Sequence, residues 1–204
     1  SSKKLKCRRS GITEDTMILT DLVHQLLAPW LESHMIGVDA TCGNGHDTLF
    51  LASHIQHVHG FDIQQLAIDQ TRQLLENNQL SDRVTLHTMS HTHIEEVVRQ
   101  PVDVILFNLG YLPQGNKEIT TCWEATEAAI GASLRLLNPG GRLAIIAYPG
   151  HTEGQREYHG LSHMLEQLPT KDYFVLCTQH MNSRKQPPVI FIIEKTKPKH
   201  KPNL

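Results

Sequence analysis

The chain carries 204 residues, 39% of them hydrophobic and 5% aromatic, with 19 basic against 21 acidic side chains and a formal charge of −2. That length fits one α/β domain around one mostly aliphatic core, and the composition rules out a disordered chain. No apolar run approaches the roughly 18 residues of a membrane span, and no apolar stretch follows the basic N-terminus as in a signal peptide. A soluble, cytoplasmic protein is therefore expected, with an organellar one left open by the basic extension.

Residues 1–16 read as a flexible basic extension, with Lys3, Lys4, Lys6, Arg8 and Arg9 in its first nine positions. Lys195, Lys197, Lys199 and Lys201 make the other end basic, so two basic ends flank an acidic body, either as flexible solvated ends or as tails that contact phosphates. Between them, residues 17–195 read as one domain and 196–204 as a basic tail. Leu22, Val23, Leu26 and Leu27 recur at helical spacing and predict a helix over Thr20–Trp30, ended by Pro29. A strand over Met35–Ala40 leads through a Gly-rich turn into a helix over Asp47–Ser53. Strand His57–Ile63, helix Gln65–Asn77, strand Arg83–Thr88 and a short helix Ile94–Val98 follow. The continuous apolar run Val102–Asn108 predicts a doubly buried strand. A helix over Trp123–Leu137 is closed by Asn138-Pro139-Gly140-Gly141. Strand Arg142–Tyr148, helix Tyr158–Leu168 and strands Tyr173–Gln179 and Val189–Glu194 complete the chain.

Alternating strands and helices predict a seven-stranded, mostly parallel, Rossmann-like sheet with helices on both faces. About nine residues join the last two strands, too few for a crossover helix, so that pair must be an antiparallel hairpin. Such a terminal hairpin is expected of methyltransferase-type sheets rather than nicotinamide-binding ones. The cysteines, Cys7, Cys42, Cys122 and Cys177, form no CxxC pair and read as reduced thiols, and no metal site is expected.

The chemistry concentrates at strand ends. In Val38-Asp39-Ala40-Thr41-Cys42-Gly43-Asn44-Gly45 a strand runs into a Gly-x-Gly turn and a helix, which brings backbone close to a ligand. Thr41 stands where a dinucleotide motif has its first glycine, and no Gly-Lys-Ser/Thr follows. Asp62 closes the second strand, 19 residues after Gly43, at the spacing where a carboxylate accepts both hydroxyls of a ribose. Asp39, Thr41, Gly43, Asn44, Gly45, Asp62 and the adjoining Ile63 are therefore the expected adenosine-cofactor contacts. Ser90 and His91, after the third strand, are placed beside a base edge. Asn108-Leu109-Gly110-Tyr111 ends the fourth strand, where Asn108 can accept an N–H from a target amine and Tyr111 can wall the pocket. Tyr148 and His151 follow the fifth strand, with His151 as candidate proton acceptor. Arg184 and Lys185 precede the last strand and can hold phosphates.

The segments DATCGNGHDTLFLA (39–52), GFDIQ (60–64), SH (90–91), FNLGYLPQGNKEITT (107–121), YPGHTEGQRE (148–157) and NSRKQPPVIFIIEK (182–195) together resemble the rRNA methylase family, understood to include tRNA methyltransferases of the MnmM type. The resemblance covers roughly residues 17–195. It implies S-adenosylmethionine as cofactor and the anticodon stem-loop of tRNA as partner. The implied reaction is methyl transfer to the 5-aminomethyl group of a wobble uridine, commonly 5-aminomethyl-2-thiouridine. Asn44, His46, Asp47, Asp62, Gln64, Ser90 and His91 match the family's cofactor contacts. Transfer to rRNA or to a small amine remains an alternative, as do a nicotinamide oxidoreductase and a non-catalytic RNA-binding scaffold; a homodimer is left open.

Overall fold

A computed structural model describes residues 14–110, 122–183 and 186–198. The elements run α1 (Glu14–Leu27), β1 (Ile36–Asp39), α2 (His46–His54), β2 (His57–Asp62), α3 (Gln65–Asn77), β3 (Val84–Thr88), α4 (Ile94–Val97), β4 (Val102–Asn108), α5 (Trp123–Leu136), β5 (Leu137–Ala147), α6 (Thr152–Glu166), β6 (Tyr173–Gln179) and β7 (Val189–Lys195). One seven-stranded sheet has the order β3-β2-β1-β4-β5-β7-β6. Strands β1 to β5 pair in parallel, whereas β7 runs antiparallel to both β5 and β6. The Rossmann-like sheet and its terminal hairpin thus stand as expected.

The central strands alternate between two helical layers, as a pleated strand buried on both faces must. Val104 and Leu106 of β4 join Leu27, Leu51 and Leu75 in one core, while Ile105 and Phe107 join Ile130 and Leu161 in the other. In β5, Ala144 and Ile146 face the first core, and Leu143 and Ile145 the second. Burial on this scale contributes roughly 1.5–3 kcal/mol per large aliphatic side chain.

Three boundaries differ most from the sequence reading. Helix α1 starts at Glu14, inside the stretch read as a flexible extension, and α6 starts at Thr152, six residues before Tyr158. No apolar periodicity marks residues 152–157; the start is set by His151, whose Nδ1 accepts from the Gly154 N–H at 3.1 Å. The third is Asn138-Pro139-Gly140-Gly141, which forms part of β5 instead of a turn before it. There Leu137 pairs with Val102 and Arg142 with Val104, so β5 bulges against β4. The Asn138 amide holds the bulge by donating to Asp103 Oδ1 at 2.8 Å. Two single-turn 3₁₀ segments, Ser81–Arg83 and His91–His93, were not anticipated. Among the described residues no helix is long and apolar enough to cross a membrane.

Candidate active site

The site lies at the carboxyl ends of β1, β2, β3 and β4. Parallel strands there stop in register and leave loops free to converge. Strand β1 ends at Asp39, which is fully buried. Its Oδ1 accepts from the Thr41 N–H at 3.1 Å and its Oδ2 from the Thr48 hydroxyl at 2.5 Å. The turn after it is fixed from outside: Cys42 N–H donates to the Phe61 carbonyl, and Asn108 N–H donates to Thr41 Oγ1 at 2.7 Å. Gly45 ends the turn at φ 81°, in the left-handed region. A Cβ there would stand 2.9 Å from Thr71 Cα, so conformation and space both call for glycine.

Asp62 closes β2 and reaches back to the turn. Its Oδ2 accepts from Gly43 N–H at 3.0 Å and its Oδ1 from Gln64 N–H at 2.9 Å. Each carboxylate oxygen keeps a further lone pair, so the group can still accept two hydroxyls. Ile63 beside it is half exposed. After β3, Ser90 Oγ accepts from the Thr92 N–H and the Thr92 hydroxyl, capping the short turn. His91 is buried, and its Nδ1 lies 3.2 Å from the Ala40 carbonyl. Since a carbonyl only accepts, Nδ1 carries the proton. Nε2 is then a buried acceptor with no partner among the described residues, and burial holds the ring's pKa below the usual histidine range.

Charge around this turn is predominantly negative. Burial first, then the neighbouring Asp47 carboxylate, raises the Asp39 pKa to about 7, with Asp62 adding to the rise. Asp47 itself is buried at the start of α2 and pairs with His24 Nε2 at 2.6 Å. The His24 ring stacks flat on Phe50, with centroids 3.9 Å apart, and ties α1 to the site. Three carboxylates around one buried turn favour a cationic ligand.

Strand β4 delivers Asn108, and the chain after β5 delivers Tyr148. Their side chains are hydrogen-bonded, and burial first, then Asp47, raises the Tyr148 pKa, so its hydroxyl stays protonated. The Tyr148 ring lies against Gly110, where a Cβ would come within 3.3 Å.

The structure therefore brings Asp39, Thr41, Gly43, Gly45, Asp47, Asp62, His91, Asn108 and Tyr148 into one linked network. Asn44 and Gln64 are half-buried in the same loops, and His46 is exposed at the head of α2. His151 is exposed, and its Nδ1 accepts from the Gly154 N–H at the α6 cap, so that nitrogen is engaged rather than free for the expected role of proton acceptor. Tyr111, Arg184 and Lys185 lie outside the described residues. Sequence reading missed Thr48 and His24. Thr48 lies nine residues beyond Asp39, in the first turn of α2, a contact visible once the helix start at His46 is known. His24 lies 23 residues from Asp47 with no local signal linking them. Among the described residues no three His, Cys, Asp or Glu side chains group as a metal site does.

Sheet order, site position and donor set meet in one class, the class I S-adenosylmethionine-dependent methyltransferases. A protein of Clostridium thermocellum described as a "putative rRNA-methylase" has the same architecture, with a TM-score of 0.84, 35% identity, and 91% of this chain and 99% of that one covered. A "putative methyltransferase" from Streptococcus mutans, solved in complex with SAH, gives a TM-score of 0.81 at 34% identity, with 91% and 99% covered. The chain belongs to the family described as "Putative rRNA methylase", whose model matches residues 58–194. It is also 32% identical over 189 residues to a chloroplastic tRNA (mnm(5)s(2)U34)-methyltransferase of Arabidopsis thaliana, covering 86% of this chain and 69% of the relative.

Proposed function

We propose that this protein N-methylates the 5-aminomethyl group of 5-aminomethyl-2-thiouridine at the tRNA wobble position, giving 5-methylaminomethyl-2-thiouridine. The name of the Arabidopsis relative, a tRNA (mnm(5)s(2)U34)-methyltransferase, supports the substrate. The observation that carries the reading is Asn108, held by Tyr148 at the end of β4, beside a carboxylate-lined turn. The family description favours rRNA as a second reading.

The chain's residues fit S-adenosylmethionine. Asp62 has lone pairs for ribose hydroxyls, the orphaned His91 Nε2 needs an N–H or O–H donor, and the acidic pocket needs a cation. When bound, the cofactor supplies a methyl group on a sulfonium, whose charge also disfavours an ammonium beside it. A primary amine, mostly protonated at neutral pH by its reference pKa of about 10.4, is then more readily held as the free base. Asn108 orients that amine by accepting one N–H, and Tyr148 fixes the Asn108 rotamer. Holding nucleophile and methyl in line can supply roughly 7–11 kcal/mol at best. His151 meets the substrate at the rim as an Nε2–H donor, and proton acceptance there requires the α6 cap to open first. On this reading the roles left to Tyr111, and to Arg184 and Lys185, are contact with the uridine and with anticodon phosphates, respectively. The proposed compartment is one that holds tRNA, cytoplasm or organelle.

The test incubates tRNA from a strain lacking the modification with cofactor and enzyme, followed by mass spectrometry of the wobble nucleosides. One added methyl on the 5-aminomethyl group is expected, lost in Asn108→Ala while cofactor affinity stays within a few fold. Methyl gain confined to rRNA or to a free amine refutes the substrate, and undiminished turnover in Asn108→Ala refutes the role of the β4 end.

A further inference from the structure

Three of the 14 histidines stand together on β2 and β3, outside the site. His57 and His59 alternate with Val58, so both share one face of the sheet with Phe61. The register sets Thr85 beside His59 and His87 beside Phe61, which brings His87 to the same face. His59 Nδ1 lies 3.2 Å from His87 Nε2, and His57 Nε2 lies 3.0 Å from Thr85 Oγ1. His57 meets His59 edge-on with centroids 5.0 Å apart, His59 stacks on His87 at 5.5 Å, and His87 stacks on Phe61 at 4.7 Å. All three rings are half-buried, and they do not converge as metal ligands do.

The His59–His87 contact needs one bare nitrogen facing one N–H. Protonating both rings sets N–H against N–H and charge against like charge. Neighbouring elements offer these rings no carboxylate. On this face β1 presents Ile36 and Val38 beside His57 and His59. Helix α4 packs here through Ile94, and its Glu95 and Glu96 are engaged by Arg135 and His93. Arg83, just before β3, donates to the Ala52 carbonyl. Strand β3 is the edge of the sheet, paired with β2 alone, and it leads through Met89 into the Ser90–His91 turn of the site.

We propose that His57, His59 and His87 form an acid-sensitive latch on the edge strand. Neutral, they bond and stack across the β2–β3 ladder; protonated, they repel and loosen β3 together with the turn that carries His91. Titration follows the geometry. Burial first, then the charges of His57 and His87, lowers the His59 pKa to about 4. Burial and then His57 lower that of His87, and burial lowers that of His57. The rings of a released strand return to the usual imidazole value of about 6.5. The folded values lie below it, so the latch contributes its full stability above about pH 6.5 and loses it progressively as pH falls towards 4. Asp39 acts in the opposite direction, and it lies on β1, so the two effects separate by location and by variant.

Amide hydrogen exchange on the full chain, without cofactor or RNA, tests the latch independently of the proposed reaction. Rates are corrected for the intrinsic pH dependence of exchange, and β3 is compared with the central strand β4. From pH 7.5 to pH 5, protection over Val84–Thr88 relative to β4 is expected to fall by roughly thirtyfold through His59 alone. The fall is expected to run on into residues 89–93. His59→Gln combined with His87→Gln keeps polar side chains and removes two titrating rings; it is expected to shrink the fall by roughly tenfold or more. His59→Gln alone, the milder change, is expected to give most of that reduction. A wild-type β3 whose relative protection does not change with pH overturns the latch. So does a fall as large in the His59→Gln variants as in the wild type.

Discussion

Asp62 joins the two halves of the pocket, because one carboxylate takes the amide of Gly43 from the β1 turn and that of Gln64 from its own. Replacing it with alanine removes the acceptor for a ribose diol and two charge-assisted bonds, each worth about 1.5–3 kcal/mol. Calorimetry with S-adenosylmethionine is expected to show affinity reduced by roughly a hundredfold or more, in a protein that still folds; wild-type affinity would remove the ribose assignment. Asp39 gives a pH signature. Its folded-state pKa, near 7, lies above the unfolded carboxylate value near 3.9, so the folded state holds a proton that the unfolded state releases. The stability this proton confers is complete below pH 3.9 or so and is lost as pH rises through about 7. A cationic ligand favours the ionised form. Cofactor affinity is therefore expected to rise up to about tenfold per pH unit below 7 and to level off above it. Titration calorimetry from pH 5.5 to 8.5 reads this, and a flat profile, or an unchanged one in Asp39→Asn, contradicts the coupling.

At the scale of elements, the ends of helices and strands carry the precision of the site. Lys195, in β7, donates from Nζ to the carbonyls of Leu134 and Leu137 at 3.0 and 2.9 Å, closing the C-terminus of α5 with a cation. Lys195→Met keeps the stem and removes the donor. It is expected to cost roughly 1–2 kcal/mol and a few degrees of Tm by thermal denaturation; an unchanged Tm would show that water caps the helix equally well. This contact also shows why boundaries are harder to read than elements. The apolar run of β4 and the periodicity of α3 are local and were legible. The bulge at Asn138 depends on Asp103, 35 residues away, and the anchoring of α1 on His24 and Asp47 on a contact across 23 residues. The start of α6 rests on a histidine cap, a type outside the usual Ser, Thr, Asp and Asn.

For the whole molecule, fold and cofactor class were legible because each rests on short-range patterns set in a fixed order: a glycine turn after one strand, a carboxylate after the next, an asparagine after the fourth. The electrostatics were not. The place of Asp39 before the glycine turn marks it as a cofactor contact, but only its burial beside Asp47 makes it a proton store. His91 was placed near a base edge by its position after β3; its free acceptor appears only once the Ala40 carbonyl fixes its tautomer. Tyr148 was named, but its hold on Asn108 depends on strands β4 and β5 ending side by side, with Asn108 in register with Ile146.

A crystal structure of the protein with S-adenosylhomocysteine and an anticodon stem-loop tests the central claim most directly. The account predicts the ribose hydroxyls on Asp62, a donor on His91 Nε2, and the target nitrogen on the Asn108 amide, about 3–4 Å from the place of the transferred methyl. A target nitrogen or an Asn108 amide more than about 10 Å from that place, far beyond near-attack range, would contradict it.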